Sequence, residues 1–272
     1  MYSFSVCMSV YKNDKPTDFS EALKSIINQT IKPLEIVLVV DGPIGKELEL
    51  VLTEFSSRYS IFKIIRFEEN RGHAAARQAG IDNVSNDIVA IMDSDDIALP
   101  NRFEKQLSFL NKYPEVDVVG GQITEFVENE KNIVGRRIVP QSDKEIKDYL
   151  KSRCPMNLVT IMARKSSINK VGGYIDWYCE EDYYLWIRMA LANCTFANLP
   201  DILVNVRVGK EMYARRGGWK YFKSEARLQW FMLTHMVISF PKYLYNLSVR
   251  FVVQVMLPNC IRGWVFQKFA RN

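Results

Sequence analysis

The chain reads as an α/β domain with a mostly parallel sheet flanked by helices, followed by a basic, amphipathic helical extension. Three observations predict this. Through the first 120 residues, short β-rich runs alternate with helical patterns, which calls for right-handed crossovers and parallel strands. Carboxylates cluster just after the buried runs, at the edge where open α/β sheets bind ligands. After Glu225 no acidic residue occurs, so the C-terminal end is strongly basic. The expected division is a domain over 1–210, with halves of about 1–120 and 121–210, and a helical extension over 211–272.

Residues 4–10 are apolar and β-rich, a first strand. A helix is expected over 16–28, with Pro16 in its first turn and Phe19, Leu23, Ile26 and Ile27 on one face. Pro33 ends the next turn, and 34–40 is a second buried strand closed by Asp41-Gly42. A helix over 46–59, a strand over 61–67, an Ala-rich helix over 72–83, a strand over 88–92 and a helix over 100–113 complete the alternation. Further on, strands are expected over 116–127, 133–139 and 158–164, with a helix over 144–151 between the last two. A helix over 181–193 precedes short strands over 196–199 and 202–208. From Trp219 the pattern is helical and amphipathic, interrupted by Pro241 and Pro258.

At 272 residues and 48% hydrophobic, the chain suits one large domain or a domain with an appendage. Its five cysteines are odd in number and form no C-x-x-C pair, which argues against a disulfide framework or a structural zinc and fits a reducing compartment. The N-terminus runs straight into a strand pattern without the features of a signal peptide. No stretch approaches the ~18 uncharged apolar residues of a spanning helix. A cytosolic location is therefore expected. The net charge of +5 divides unevenly: from Lys210 onward 11 Lys/Arg face two Glu, or +9, leaving −4 for the first 209 residues.

The run Asp93-Ser94-Asp95-Asp96 follows the apolar 88–92 stretch directly. Crowded carboxylates at a strand end repel one another unless a cation or hydrogen bonds compensate. A hard divalent ion, Mg²⁺ or Mn²⁺, takes such oxygens and often bridges to a substrate phosphate. Taken alone, the run reads equally as a solvated acidic turn with Asp96 capping the next helix. Asp41 also ends a buried strand, where a carboxylate can accept from a base N–H or a ribose hydroxyl; a plain Asp-Gly turn is the other reading. Asn70-Arg71-Gly72 opens a helix whose Arg77, one turn in, can meet a pyrophosphate, or it is a simple Asn cap. Asp182 shares one helix face with Leu185, Trp186 and Met189, so it aims inward, while Glu181 points about 100° away. Desolvation disfavours the charged form of an inward carboxylate beside Trp186 and suits it to general-base work. Favourable placement in the helix dipole also accounts for such a pair, and it covers Glu181 better than Asp182.

In order and spacing these segments resemble the inverting glycosyltransferases of family 2, of the bacterial polysaccharide-biosynthesis type. Ser9-Val10-Tyr11 leads to the 25–30 run, then to 33–42 ending in Asp41-Gly42; Asn70-Arg71-Gly72 with Arg77, Asp93-Ser94-Asp95-Asp96, Gly172-Gly173-Tyr174, Glu181-Asp182 and Trp186 follow. The resemblance implies the Rossmann-like GT-A fold, with a nucleotide-binding half before about residue 120 and an acceptor-side half after it. It implies that Tyr11, Asp41, Asn70, Arg77, Asp93 and Ser94 contact the nucleotide. Asp95, with Asp93, would hold Mn²⁺ or Mg²⁺. Asp182 would be the catalytic base, with Glu181 and Trp186 on the acceptor side. The donor would be a nucleotide-sugar, first of all a UDP-sugar. The acceptor would be a saccharide, lipid-linked in O-antigen, capsule or exopolysaccharide synthesis. Absence of a Q-x-x-R-W motif favours addition of one sugar at a time.

Basic residues interleaved with aromatics, among them Tyr213, Arg215, Arg216, Trp219, Lys220, Tyr221, Phe222, Lys223, Arg227 and Trp230, read as a peripheral surface for an anionic membrane. Lys242, Tyr243, Tyr245, Arg250, Arg262, Trp264 and Phe266 continue the pattern, and helices packed on the core with a solvated basic face are the other reading. The expected place is the inner face of the plasma membrane. No nucleic-acid-binding motif occurs, so no nucleic acid is expected. Arg207, Arg215 and Arg216 are further cations that could close over a diphosphate. Two other classes compete: a non-catalytic nucleotide-sugar-binding protein of the same fold, and a nucleotidyltransferase. The glycine-free loop Tyr11-Lys12-Asn13-Asp14 argues against the second.

Overall fold

The computed structural model describes residues 3–209 and 217–257. Strand and helix alternate first: β1 (Phe4–Val10), α1 (Pro16–Ile27), β2 (Glu35–Val40), α2 (Lys46–Arg58), β3 (Phe62–Arg66), α3 (His73–Asn83) and β4 (Ile88–Met92). A two-residue strand β5 (Ile97–Ala98) leads to α4 (Arg102–Lys112), β6 (Val118–Phe126), β7 (Ile133–Arg137) and α5 (Asp143–Leu150). Then come β8 (Met162–Arg164), α6 (Lys165–Lys170), α7 (Glu181–Leu191), β9 (Phe196–Arg207), α8 (Trp219–Thr234) and α9 (Phe240–Phe251), with a π turn over Val252–Met256.

The strands form one sheet in the order β3-β2-β1-β4-β8-β6-β9-β5, with β7 paired to β6. β1 runs parallel to β2 on one side and to β4 on the other. Chain order therefore reverses between β1 and β4, which opens a crevice at their C-terminal ends. Val10 lies opposite Val40, and Met8 opposite Met92. The residues that follow these strands, Tyr11, Asp41 and Asp93, consequently emerge along one edge. Beyond β4 the sheet is mixed: β8 is antiparallel to β4 and β6, β7 to β6, and β5 to β9, while β6 and β9 are parallel. The mostly parallel arrangement thus describes β3 to β4. β7 returns directly onto β6 through a short loop, a connection open only to antiparallel strands.

Alternation along β1 sends Phe4, Val6, Met8 and Val10 to one face, where they meet Phe19 and Leu23 of α1 and Phe103 and Leu107 of α4. Cys7, Val89 and Ile91 turn to the other face, with Leu185, Trp186 and Met189 of α7. Each fully buried side chain of this kind contributes about 1.5–3 kcal/mol. α3 lies close enough to β1 that a Cβ on Gly80 would sit 2.2 Å from Cys7 Sγ.

Several expectations change. The strand expected over 158–164 is a 3₁₀ turn, Leu158–Thr160, followed by β8; Thr160 turns the chain by donating its N–H and its hydroxyl to Asn157 O. The two short strands near 196–208 are one strand, whose register against β6 shifts beside Gly121 and Gln122, where Pro200 is accommodated. Pro241 sits in the first turn of α9, as proline prefers.

The C-terminal helices join the main core: Leu228 and Met232 of α8, and Ile238, pack in the cluster that holds Trp186. Tyr221 is buried and Arg250 is ion-paired with Glu225, so neither belongs to an exposed basic face; Trp219 and Trp230 are exposed. Lys210, Tyr213, Arg215, Arg216, Pro258, Cys260, Arg262, Trp264 and Phe266 lie outside the described residues. Cys7, Cys154, Cys179 and Cys194 are free thiols. No described helix is long and apolar enough to cross a membrane.

Candidate active site

Asp41 is buried, and it fastens the loop that precedes α3. Its Oδ1 accepts from Arg71 N at 2.6 Å; its Oδ2 accepts from Gly72 N at 3.0 Å and Asn70 Nδ2 at 2.9 Å. Gly42 makes this closure feasible: its φ is +83°, and a Cβ there would lie 2.6 Å from Asn70 N. Asn70 therefore acts on Asp41 instead of facing open space. The three hydrogen bonds leave about one acceptor position on the carboxylate for a ligand. Tyr11 is half-buried beside this edge; its N–H donates to Asp14 Oδ2 at 3.0 Å, and its ring lies edge-on to His73, 6.0 Å between centroids.

After β4 the acidic run gathers a wider cluster than its sequence shows. Ser94 Oγ donates to Asp14 Oδ2 at 2.7 Å. Burial pushes the Asp14 carboxyl up, against the pull of Ser94 and Tyr11. The Asp95 carboxyl is pushed up to about 7, first by burial and then by Asp93 and Asp14. Asp96 is buried and accepts from Arg207 N at 2.9 Å; burial, Asp95 and Asp93 raise it well above the ordinary range. Asp96 is thus tied to β9 and does not cap the next helix, whose N-cap is Asn101. Arg207 Nε donates to Asp95 O at 3.1 Å, and its Nη2 donates to Glu21 Oε2 at 2.6 Å, which clips the acidic loop to α1. Asp14 and Asp18, which reaches Arg207 Nε at 3.5 Å, were not singled out by sequence. The one local signal is that Asp14 lies three residues after Tyr11, close enough for its carboxylate to accept back from the Tyr11 N–H across a turn.

Arg77 joins the two acidic motifs. It is buried on α3; its Nη2 donates to Asp93 Oδ1 at 3.1 Å and its Nη1 to Glu181 Oε1 at 2.9 Å. Burial works against its charge, but Asp93 and Glu181 outweigh burial and hold the guanidinium firmly protonated. Glu181 therefore faces the site, where helix geometry alone had turned it away; its side chain is 16% exposed. The first turn of α7 begins at Glu181, so a long side chain there can reach back across the helix end.

Asp182 Oδ1 accepts from Tyr183 N at 2.7 Å, and the Cys154 thiol faces Oδ2 at 3.8 Å. Burial raises its carboxyl, Glu181 adds to the rise, and Arg77 opposes it. Leu185, Trp186 and Met189 are fully buried on the same helix, as the face pattern requires. Trp186 lies within the core, beneath Asp182, and offers no exposed ring to an acceptor.

The Asp93 and Asp95 donor set fits a hard divalent cation. It consists of oxygens alone, and burial with neighbouring carboxylates leaves Asp95 short of compensating positive charge. Among the described residues no three His, Cys, Asp or Glu side chains converge as a protein-only cage. A cation held here would complete its shell with substrate phosphate oxygens and water.

Residues 5–172 match the model of Glycosyl transferase family 2. An uncharacterized glycosyltransferase of Haemophilus influenzae is 40% identical over 269 residues, 99% of each chain. The amylovoran biosynthesis glycosyltransferase AmsE of Erwinia amylovora is 35% identical over 97% of this chain and 98% of its own. The UDP-Gal:alpha-D-GlcNAc-diphosphoundecaprenol beta-1,3-galactosyltransferase of Escherichia coli is 36% identical over 99% of this chain and 97% of its own. Among solved structures, S. aureus TarS 1–349 in complex with UDP-GlcNAc superposes with a TM-score of 0.65 at 17% identity, covering 92% of this chain and 72% of that one. That likeness is one of fold.

Proposed function

Since the chain belongs to glycosyl transferase family 2 and is a glycosyltransferase, we propose that it moves one sugar from a UDP-sugar to a hydroxyl of a lipid-linked saccharide, with inversion. The observation that carries this reading is the Arg77 bridge, which brings the Asp93–Asp95 edge and the Glu181–Asp182 helix start to opposite sides of one crevice. The donor half is about 1–120 and the acceptor-side half about 121–210.

In this reading Asp41 and Tyr11 line the nucleotide side of the crevice, and Asp93 the ribose side. Asp95 and Asp93 would hold a divalent cation, which would supply charge neutralisation for the departing diphosphate. Asp182 takes the proton of the acceptor hydroxyl as that oxygen attacks the anomeric carbon. The proton moves to the Asp182 carboxylate, the new glycosidic bond forms as the bond to diphosphate breaks, and a single displacement inverts the centre. Glu181, held by Arg77, keeps negative charge beside Asp182 and so strengthens it as a base.

The E. coli relative, named for a UDP-Gal donor and a GlcNAc-diphosphoundecaprenol acceptor, supports a UDP-sugar and a polyprenyl-diphosphate-linked acceptor here. AmsE supports a role in surface polysaccharide synthesis. Such an acceptor lies in a membrane, and the 211–272 extension is read as the membrane-proximal part. Support comes from exposed apolar residues along α9 and the following turn: Phe240, Leu244, Tyr245, Val249, Val252 and Met256. Exposed Lys220, Lys223 and Arg227 on α8 suit an anionic inner leaflet.

The test is calorimetric binding of UDP-, GDP- and dTDP-sugars with and without Mn²⁺, followed by transfer to a GlcNAc-diphosphate-polyprenyl acceptor. One donor binds with Mn²⁺, Asp95→Asn loses that metal response, and Asp182→Asn binds donor but transfers nothing. Absence of binding to all donors with metal would overturn the reading.

A further inference from the structure

The segment that delivers Asp182 is gripped by α8, which lies beyond the residues matched by the family model. Cys179 has a φ of +59°, a left-handed backbone that is costly for a residue with a Cβ, so the stretch 177–180 needs outside contacts to persist. The Tyr221 hydroxyl donates to Glu180 Oε1 at 2.7 Å. Ser224 Oγ donates to Tyr178 O at 2.7 Å, and Trp177 Nε1 donates back to Ser224 O at 3.2 Å. The Arg227 guanidinium covers the Trp177 ring, 4.4 Å from its centroid. One face of α8 thus holds the whole turn before α7.

The second wall of Asp182 is held in the same way from α9. Asn246 Nδ2 donates to Lys151 O at 2.9 Å, and Arg250 Nη2 to Ser152 O at 2.8 Å. These carbonyls lead into Cys154, whose thiol faces Asp182. Glu225 of α8 ties that helix to α9 through Arg250 and to the following π turn through Gln254. Packing of Leu228 and Met232 into the core would hold α8 in place without any of these polar contacts. Their convergence on the approach to one carboxylate calls for a different explanation. A general base works only within hydrogen-bond reach of its proton, and an error of about 1 Å in placement costs up to ~100-fold in rate.

We propose that the C-terminal helix pair is part of the catalytic apparatus, with Tyr221 and Ser224 as positioning residues that aim Asp182 through the 177–180 turn. This rests on the reading of Asp182 as the base. Neither residue touches substrate in this scheme.

The experiment uses the full chain carrying Tyr221→Phe, which keeps the ring and removes only the hydroxyl. A second variant, Ser224→Ala, removes only the contact to Tyr178 and serves if the first fails to fold. The expected result is a kcat lower by about 10- to 100-fold, with donor KM unchanged. Leu110→Ala, buried on the opposite face of the sheet, serves as a control for general destabilisation and keeps its kcat at a temperature well below its melt. Amide exchange is read on the same samples: residues 177–183 exchange about tenfold faster in the variants, while α3 is unchanged. Unchanged kcat with unchanged exchange at 177–183 overturns the proposal, as does a parallel fall in donor binding and kcat. If the wild type transfers no sugar, the Asp182 reading fails on its own, and exchange at 177–183 still decides whether α8 holds the turn.

Discussion

Replacing Arg77 with Met would leave Asp93 and Glu181 facing each other across the crevice without their shared cation. The magnitude follows from the geometry. At 3.1 and 2.9 Å, each ion pair is worth about 5 kcal/mol at an effective dielectric of ~20, before desolvation is counted. Desolvation of the buried guanidinium offsets much of that attraction. Removing one member of a buried pair nevertheless costs about 3–5 kcal/mol, because the partners stay desolvated. The Asp93 side chain is 31% exposed, so water can screen it, and the lower end, about 3 kcal/mol, applies. For a chain of this size each kcal/mol moves the melt by roughly 2 °C, so Arg77→Met melts about 6 °C below wild type. Thermal unfolding by circular dichroism reads this directly. Part of the loss returns in Arg77→Met/Glu181→Gln, since one of the stranded charges is gone. Two results would refute the reasoning: a melt within 1 °C of wild type, or a double variant no more stable than the single one.

Four further outcomes are expected. A carboxyl raised in the folded protein takes up its proton there before the unfolded chain does, so its ionisation costs stability as pH rises through that window. Asp182→Asn removes this cost: the variant melts above wild type at neutral pH, and the advantage fades as pH falls toward the ordinary carboxylate range. Transfer by the wild type fails as pH drops and protonates Asp182, at a pH above that range; Glu181→Gln moves this acidic limb lower in a kcat-pH profile, because one neighbouring negative charge is gone. Gly42→Ala forces a Cβ against Asn70 N at positive φ, at a cost of at least about 1–2 kcal/mol. Its melt falls, and UDP-sugar affinity falls with it as the Asp41 loop shifts. Leu244→Asp with Val252→Asp weakens sedimentation with anionic vesicles and leaves turnover of a water-soluble acceptor unchanged; equal sedimentation would remove α9 as the membrane face.

The parallel core was legible because each strand there carries its signal locally. Residues 36–40 and 88–92 are uninterrupted apolar runs, and the carboxylate that follows each one marks the strand end without reference to anything distant. β5 was missed because two residues have no period; Ile97 and Ala98 become a strand only by pairing with Asn205 and Val204. The split of β9 at Pro200 has the same origin, since proline reads as a break unless a partner strand absorbs the shift. In the site, helix periodicity placed Leu185, Trp186 and Met189 correctly but turned Glu181 away. Periodicity orients a Cβ; it does not say where a three-carbon side chain at a helix end will find a cation.

What the amino-acid order determined by itself is the alternating α/β class, the strand ends bearing Asp41 and Asp93, the inward face of α7 and the basic C-terminal end. These rest on spacings of a few residues, which the backbone geometry of strands and helices converts directly into faces and edges. Only the tertiary structure decided that Arg77 bridges Asp93 and Glu181, that Asp14 joins the acidic cluster, and that Tyr221 reaches Glu180. Those pairs are separated by 16 to 104 residues of chain. An ion pair or buried hydrogen bond depends on distances of about 3 Å and on exclusion of water, and both exist only after the sheet order has brought distant segments together.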